Sequence, residues 1–143
     1  MNFERLKESV KANEGFRDRV YKDTLGFDTI GYGFAIKNLR LDEDLSGILL
    51  DRKLYQLIIN VYTRLPWVVE MPGEIEEIIV EMCYQMGITG FSKFRKTHNY
   101  MKAHDWKKAS IEMLDSRWAK QTPNRAKRLS DIVANHNSRT VGL

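Results

Sequence analysis

The chain of 143 residues holds a single cysteine, Cys83, which excludes an intramolecular disulfide. That usage suits folding in a reducing compartment. No apolar run approaches the length that spans a bilayer, so stable membrane insertion is not expected. The N-terminus, Met1-Asn2-Phe3-Glu4-Arg5-Leu6-Lys7-Glu8, has no apolar core of the kind a signal peptide needs, and none is expected. Repeats, low-complexity stretches and flexible linkers are all absent. His98, His104 and His136 share no metal-ligand spacing with cysteine or carboxylates and read as satisfied or solvated side chains. The positive charges are spread among acids rather than interleaved with aromatics on one face, so nucleic acid is not an expected partner.

What is present is ordinary for a folded globular chain: 43% apolar and 29% charged residues exclude wholesale disorder. The length suits one compact domain or two small lobes sharing a helix. The net charge of +4 favours anionic partners without choosing among them.

Asn2 is a plausible cap for a first helix over about 2–13, with Phe3, Leu6 and Val10 on one face and Gly15 as its stop. Between 16 and 34 strand formers such as Val20, Tyr21, Thr29 and Ile30 alternate with turn residues Asp23, Gly26, Gly31 and Gly33, which predicts a small antiparallel sheet. Asp42 then caps a long helix that carries Leu45, Leu49, Leu54, Leu57, Ile58 and Val61 and ends before Pro66. After Pro72-Gly73, Ile75, Ile78, Ile79, Met82, Cys83 and Met86 form a buried stripe that Gly87 closes. Gly90, Phe91 and Phe94 follow in a short loop or helical turn, and a short helix runs to about Met101. Another begins at Asp105, with Trp106, Ala109, Met113 and Trp118 inward. Thr122-Pro123 supplies a cap and first-turn proline for a last helix carrying Ala126, Leu129, Ile132 and Val133. The fold class is α+β: mostly helical, with a small sheet near the N-terminus.

Two acids, Glu14 at a helix end and Asp23 at a turn, suggest glycosidic hydrolysis, which needs one carboxyl to protonate the leaving oxygen and another to assist water or stabilise charge at the sugar. The residues alone leave plainer readings open. Glu14 could be a helix-end surface acid, Asp23 a turn residue bonding its own backbone, and Thr29 a strand former.

The wording around them decides between these readings. Glu14-Gly15, Tyr21-Lys22-Asp23-Thr24, Gly26 and Thr29-Ile30-Gly31-Tyr32-Gly33 closely resemble the catalytic signature of the phage-type lysozymes, glycoside hydrolase family 24. Gln85-Met86-Gly87 with Thr89-Gly90, and Ser116-Arg117-Trp118 followed by Gln121-Thr122-Pro123-Asn124-Arg125-Ala126-Lys127-Arg128, extend the match. The last block is similar to lysozymes of T-even phages.

The resemblance implies a single lysozyme domain over 1–143. Its small lobe would cover about 14–45, and its helical lobe about 60–143 plus the N-terminal helix. It implies an N-acetylmuramidase, mostly regarded as inverting, acting on bacterial peptidoglycan as a monomer with no metal or organic cofactor. Glu14 matches the general acid, Asp23 the second carboxylate and Thr29 the threonine that positions water or sugar. Tyr84, Gln85 and Arg125 match substrate-side positions, and Arg125 is expected close to Glu14. Partial burial of Glu14 would help it hold its proton.

The implied setting is a phage endolysin made in the host cytoplasm and released to the wall, or a virion-borne enzyme. A non-catalytic wall-binding or virion structural protein is the alternative. Phe34 departs from the T-even pattern, which has histidine there, and the segment after it is short. The basic run Arg125, Lys127, Arg128 and Arg139 reads as a solvated face, or as a patch drawn to anionic wall or membrane.

Overall fold

A computed structural model describes residues 1–137; Arg139 of the basic run lies outside them. By its internal contacts the chain resolves into two units, residues 1–48 and residue 49 onward.

The first unit opens with α1, Phe3–Glu14. The Asn2 side chain caps it by accepting from the Arg5 amide, and Gly15, at φ 71°, ends it. Three strands follow in the order β1-β2-β3: β1 Arg17–Lys22, β2 Asp28–Gly31 and β3 Phe34–Ala35. All are antiparallel, as the alternation of strand formers and glycines predicts. Tyr21 faces Thr29 and Lys22 faces Asp28, while an irregularity between Arg17 and Tyr21 bends β1. A 3-10 turn over Ile36–Asn38 closes the unit's sheet side.

Helix α1 falls within this unit by its contacts. Its C-terminal turn is tied to the sheet: Lys11 Nζ lies 5.6 Å from the Tyr32 ring centroid, and Phe16 packs on Tyr32 at 5.3 Å. None of its residues is buried, so Phe3, Leu6 and Val10 share a face that stays exposed.

Helix α2, Glu43–Arg64, crosses the boundary between the units. Asp42 caps it, its Oδ1 accepting from the Leu45 amide at 2.8 Å, and Pro66 starts a 3-10 turn that runs to Glu70. The second unit continues through α3 Gly73–Ser92, α4 Arg95–Lys102, α5 Trp106–Leu114, α6 Arg117–Gln121 and α7 Pro123–Ala134.

Gly87, at φ 80°, breaks α3 as expected, but the chain turns helical again at once. Phe91 is therefore a fully buried helical residue and not a loop residue. The helix that Asp105 caps is also shorter than its apolar spacing suggests. Ser116 accepts from the Ala119 amide and starts a separate α6. Thr122 precedes α7, but its hydroxyl donates back to Trp118 O at 3.0 Å and does not cap the helix.

The core of this unit is the predicted stripe. Ile75, Ile79 and Met82 of α3 are wholly buried against Met101, Met113, Leu129 and Val133. Each such side chain contributes about 1.5–3 kcal/mol by leaving water. Trp106 and Trp118 are core residues, as expected. His98 is buried and satisfied by Phe91 O at 2.9 Å. His136 meets Glu74 Oε2 at 2.8 Å. No helix among the described residues is long and apolar enough to cross a membrane.

Candidate active site

Glu14 is the last residue of α1, where the chain leaves the helix through Gly15. Its carboxylate rests on the backbone of Gly33. A Cβ built on Gly33 would overlap Glu14 Oε2 and stand 3.0 Å from Cδ. Gly33 also sits at φ 77°, a left-handed conformation that side chains other than glycine's adopt at a cost. So this glycine serves two needs: the turn before β3, and the space the acid occupies. Within the first unit the Glu14 side chain is exposed. That unit covers it on one side, through Gly33, and does not supply the expected partial burial.

Asp23 closes the β1–β2 hairpin. Its Oδ1 accepts from the amides of Leu25 at 2.9 Å and Phe27 at 2.8 Å, while its backbone N–H donates to Phe27 O and its carbonyl accepts from Gly26. The side chain thus bonds its own turn, the plain reading of an aspartate in this place. The two readings are compatible, because only one carboxylate oxygen is used. Oδ2 takes no hydrogen bond among the described residues.

Thr29 lies in the middle of β2, 3% exposed, and its hydroxyl donates to Phe27 O at 2.9 Å. The donor is spent, while the oxygen keeps lone pairs that can accept. Phe27 is the residue that sequence reasoning missed. Its N–H holds Asp23 Oδ1, and its carbonyl receives both the Asp23 amide and the Thr29 hydroxyl. One peptide-length hub therefore fixes the second carboxylate relative to the threonine. The signal was present as an aspartate four residues before Phe27 with a glycine between. Asp28 beside it pairs with Lys22 at 2.6 Å across the hairpin, as an exposed ion pair. Phe34, the departure from the expected histidine, lays its ring against Gly31, where a Cβ would stand 2.8 Å from it.

Glu14, Asp23 and Thr29 all fall in the first unit, and Tyr84, Gln85 and Arg125 in the second. Tyr84 is about half exposed and lines a groove of about 560 Å³ with an apolar floor of Leu54, Ile58 and Val80. Arg125 lines the same groove, with its Nε donating to Glu81 Oε2 at 3.1 Å. Arg128 Nη2 approaches the same oxygen at 3.7 Å. Tyr62, also in the groove, has its phenol pKa raised by burial first and by the charge and hydrogen bonding of Glu76 second, so it stays neutral. Gln85 Oε1 accepts from the Trp118 indole at 2.8 Å, which leaves its NH2 group as the donor available to a ligand. Neither Glu81 nor Trp118 was named as a partner from sequence, because each pairing spans more than thirty residues.

The chain also resembles known proteins along most of its length. The chain is 28% identical over 166 residues to the pre-baseplate central spike protein Gp5 of Enterobacteria phage T4. That alignment covers 96% of this chain but 29% of the spike protein, so the chain spans less than a third of that relative's length. Two probable T4-type lysozymes of Dictyostelium discoideum are each 26% identical; one alignment covers 90% and the other 89% of this chain, and both cover 92% of the relative. The phage lysozyme family matches residues 11–137, a span that includes Glu14, Asp23, Thr29 and Arg125. The chain belongs to the phage lysozyme family.

Proposed function

We propose that the protein is a lysozyme, an N-acetylmuramidase that hydrolyses the β-1,4 bond between N-acetylmuramic acid and N-acetylglucosamine in bacterial peptidoglycan. The observation that carries this reading is the family match over 11–137, joined to a first unit in which Phe27 couples Asp23 to Thr29. Glu14 protonates the bridging oxygen as the bond to C1 breaks. Asp23, through its unused Oδ2, takes a proton from a water that Thr29 helps to orient, and that water attacks C1 from the opposite face. The product anomer is then inverted. Tyr84, Gln85 and Arg125 are the further residues assigned to glycan binding. The protein acts as a monomer on the wall.

The setting we favour is an endolysin, made in the host cytoplasm and released to the wall at lysis. The likeness to a central spike protein over 96% of the chain favours a second setting, a lysozyme carried on a virion. A non-catalytic role in a virion would keep the fold without the chemistry.

Purified peptidoglycan incubated with the wild type and with Glu14→Gln tests the reading. New reducing-end muramic acid is expected from the wild type alone, and the first product seen by NMR should be the α anomer. Equal release by both proteins would remove Glu14 from the chemistry. A wild type that binds the wall without cutting it would favour the structural role, and anhydro-sugar products would exclude hydrolysis.

A further inference from the structure

Glu81 stands on α3 opposite two arginines of α7, and one of its oxygens meets both: Arg125 Nε at 3.1 Å and Arg128 Nη2 at 3.7 Å. Side-chain exposures of 33% for Arg125 and 40% for Glu81 put the pair at the rim of the groove that Tyr84 also lines. Surface ion pairs of this exposure add little to stability, so a stabilising role is a poor account of it.

The geometry suggests another account. An arginine has five N–H donors in a planar fork. Binding it through Nε, the nitrogen next to the stem, fixes the plane of the fork and leaves the terminal NH2 groups as further donors. Glu81 also offsets the arginine's charge. Glu76 and Glu77 line the same groove, so three carboxylates share it with two guanidinium groups and the rim is not a general anion trap. It suits neutral acceptors such as the acetamido carbonyl or hydroxyls of an amino-sugar glycan.

We infer that Glu81 is a positioning residue: it holds Arg125 as an oriented donor toward a neutral polar acceptor on the glycan. This rests on the muramidase reading above. Glu81 touches no reacting atom and acts through Arg125 on substrate binding, so its loss should appear in KM and not in kcat.

The experiment is a double-mutant cycle on soluble peptidoglycan fragments, with kcat, KM and Tm measured for each protein. Glu81→Ala should raise KM about tenfold, the size of one hydrogen bond to a charged group, with kcat within about twofold. Glu81→Gln keeps an acceptor oxygen and should recover part of that loss. It also completes the cycle if the alanine variant folds poorly. In an Arg125→Gln background, Glu81→Ala should add nothing, because the group it orients is gone. Lys108→Gln, which breaks the exposed Lys108–Asp105 pair at the start of α5, should leave KM unchanged. An unchanged KM in Glu81→Ala, or additive losses in the double variant, would overturn the inference and leave the muramidase reading intact. A wild type that releases no reducing ends would overturn both.

Discussion

Between Met1 and Ile48 the only buried side chain among the described residues is Thr29, whereas buried apolar side chains run through every helix from α2 to α7 in the second unit. The first unit is shaped by caps and turns. Asn2 starts its helix, Gly15 stops it, and the Asp23–Phe27 turn and Gly33 set the strands. The second is shaped by removal of surface from water around Ile79, Met82 and Phe91. One consequence is that chemistry and stability should respond to different substitutions. Hydrogen bonds and left-handed glycines fix a few atoms at low cost, and apolar burial supplies the energy that holds the fold.

The largest expected effect tests the first half of that contrast. Asp23→Asn keeps an amide oxygen that can accept from Leu25 and Phe27, so the hairpin should persist, but it removes the proposed base. Activity on peptidoglycan should fall about 10²–10⁴-fold while Tm stays within a few degrees. A variant that loses Tm in proportion to activity would show that Asp23 matters through the turn alone.

The second half is tested in the core. Phe91 is wholly buried, 4.5 Å from the His98 ring centroid and 6.1 Å from that of Phe94. Phe91→Ala should cost about 3–5 kcal/mol of unfolding free energy, read by denaturant titration. The turnover per folded molecule at low temperature should remain near that of the wild type. Loss of turnover without loss of stability would erase the division between the units.

Gly33 is the place where the two kinds of effect meet. Gly33→Ala adds a methyl that overlaps Glu14 Oε2 at a left-handed position. The backbone cost is about 1–2 kcal/mol. Displacing the acid by about 1 Å should lower kcat on the order of a hundredfold. Kinetics and thermal melts on one preparation measure both.

Much of this was legible in advance, for reasons that differ by residue. Asn2, Asp42 and Asp105 cap their helices because a short side-chain oxygen reaches an amide two or three residues on, and that reach is written in local sequence. Glu14 at a helix end, Asp23 in a turn and Thr29 on a strand stand where local spacing predicts them. The break at Ser116 was missed because Ala109, Met113 and Trp118 are all apolar and buried, although the five-residue step from Met113 to Trp118 already departs from the three- or four-residue spacing of one helical face. Glu81 with Arg125, and Trp118 with Gln85, depend on how α3 meets α6 and α7, which no local pattern encodes. The contacts of Lys11 and Phe16 with Tyr32 join residues up to twenty-one positions apart, beyond the reach of a local pattern.

The smallest effect expected is a pH dependence confined to the second unit. Burial lowers the pKa of His98 from its ordinary 6.5, a hydrogen bond to Phe91 O opposes that shift, and the charge of Lys102 adds to it. The unfolded chain therefore binds a proton near pH 6.5 that the folded chain still refuses. Unfolded protein carries the greater number of protons in this window, so stability rises with pH across it. Conversely, as pH falls from about 6.5 toward the lower folded value, stability is lost at up to about 1.4 kcal/mol per pH unit for this one site. Above 6.5 the contribution is flat. His98→Leu removes the proton site and should flatten the stability profile over that interval relative to the wild type, at the cost of one of the hydrogen bonds to Phe91 O, which keeps the Phe94 amide as a donor. Denaturant midpoints collected from pH 7.5 down to pH 5 compare the two slopes. Parallel slopes would mean that His98 is protonated in the folded core, and that the second unit is less well sealed from water than its burial implies.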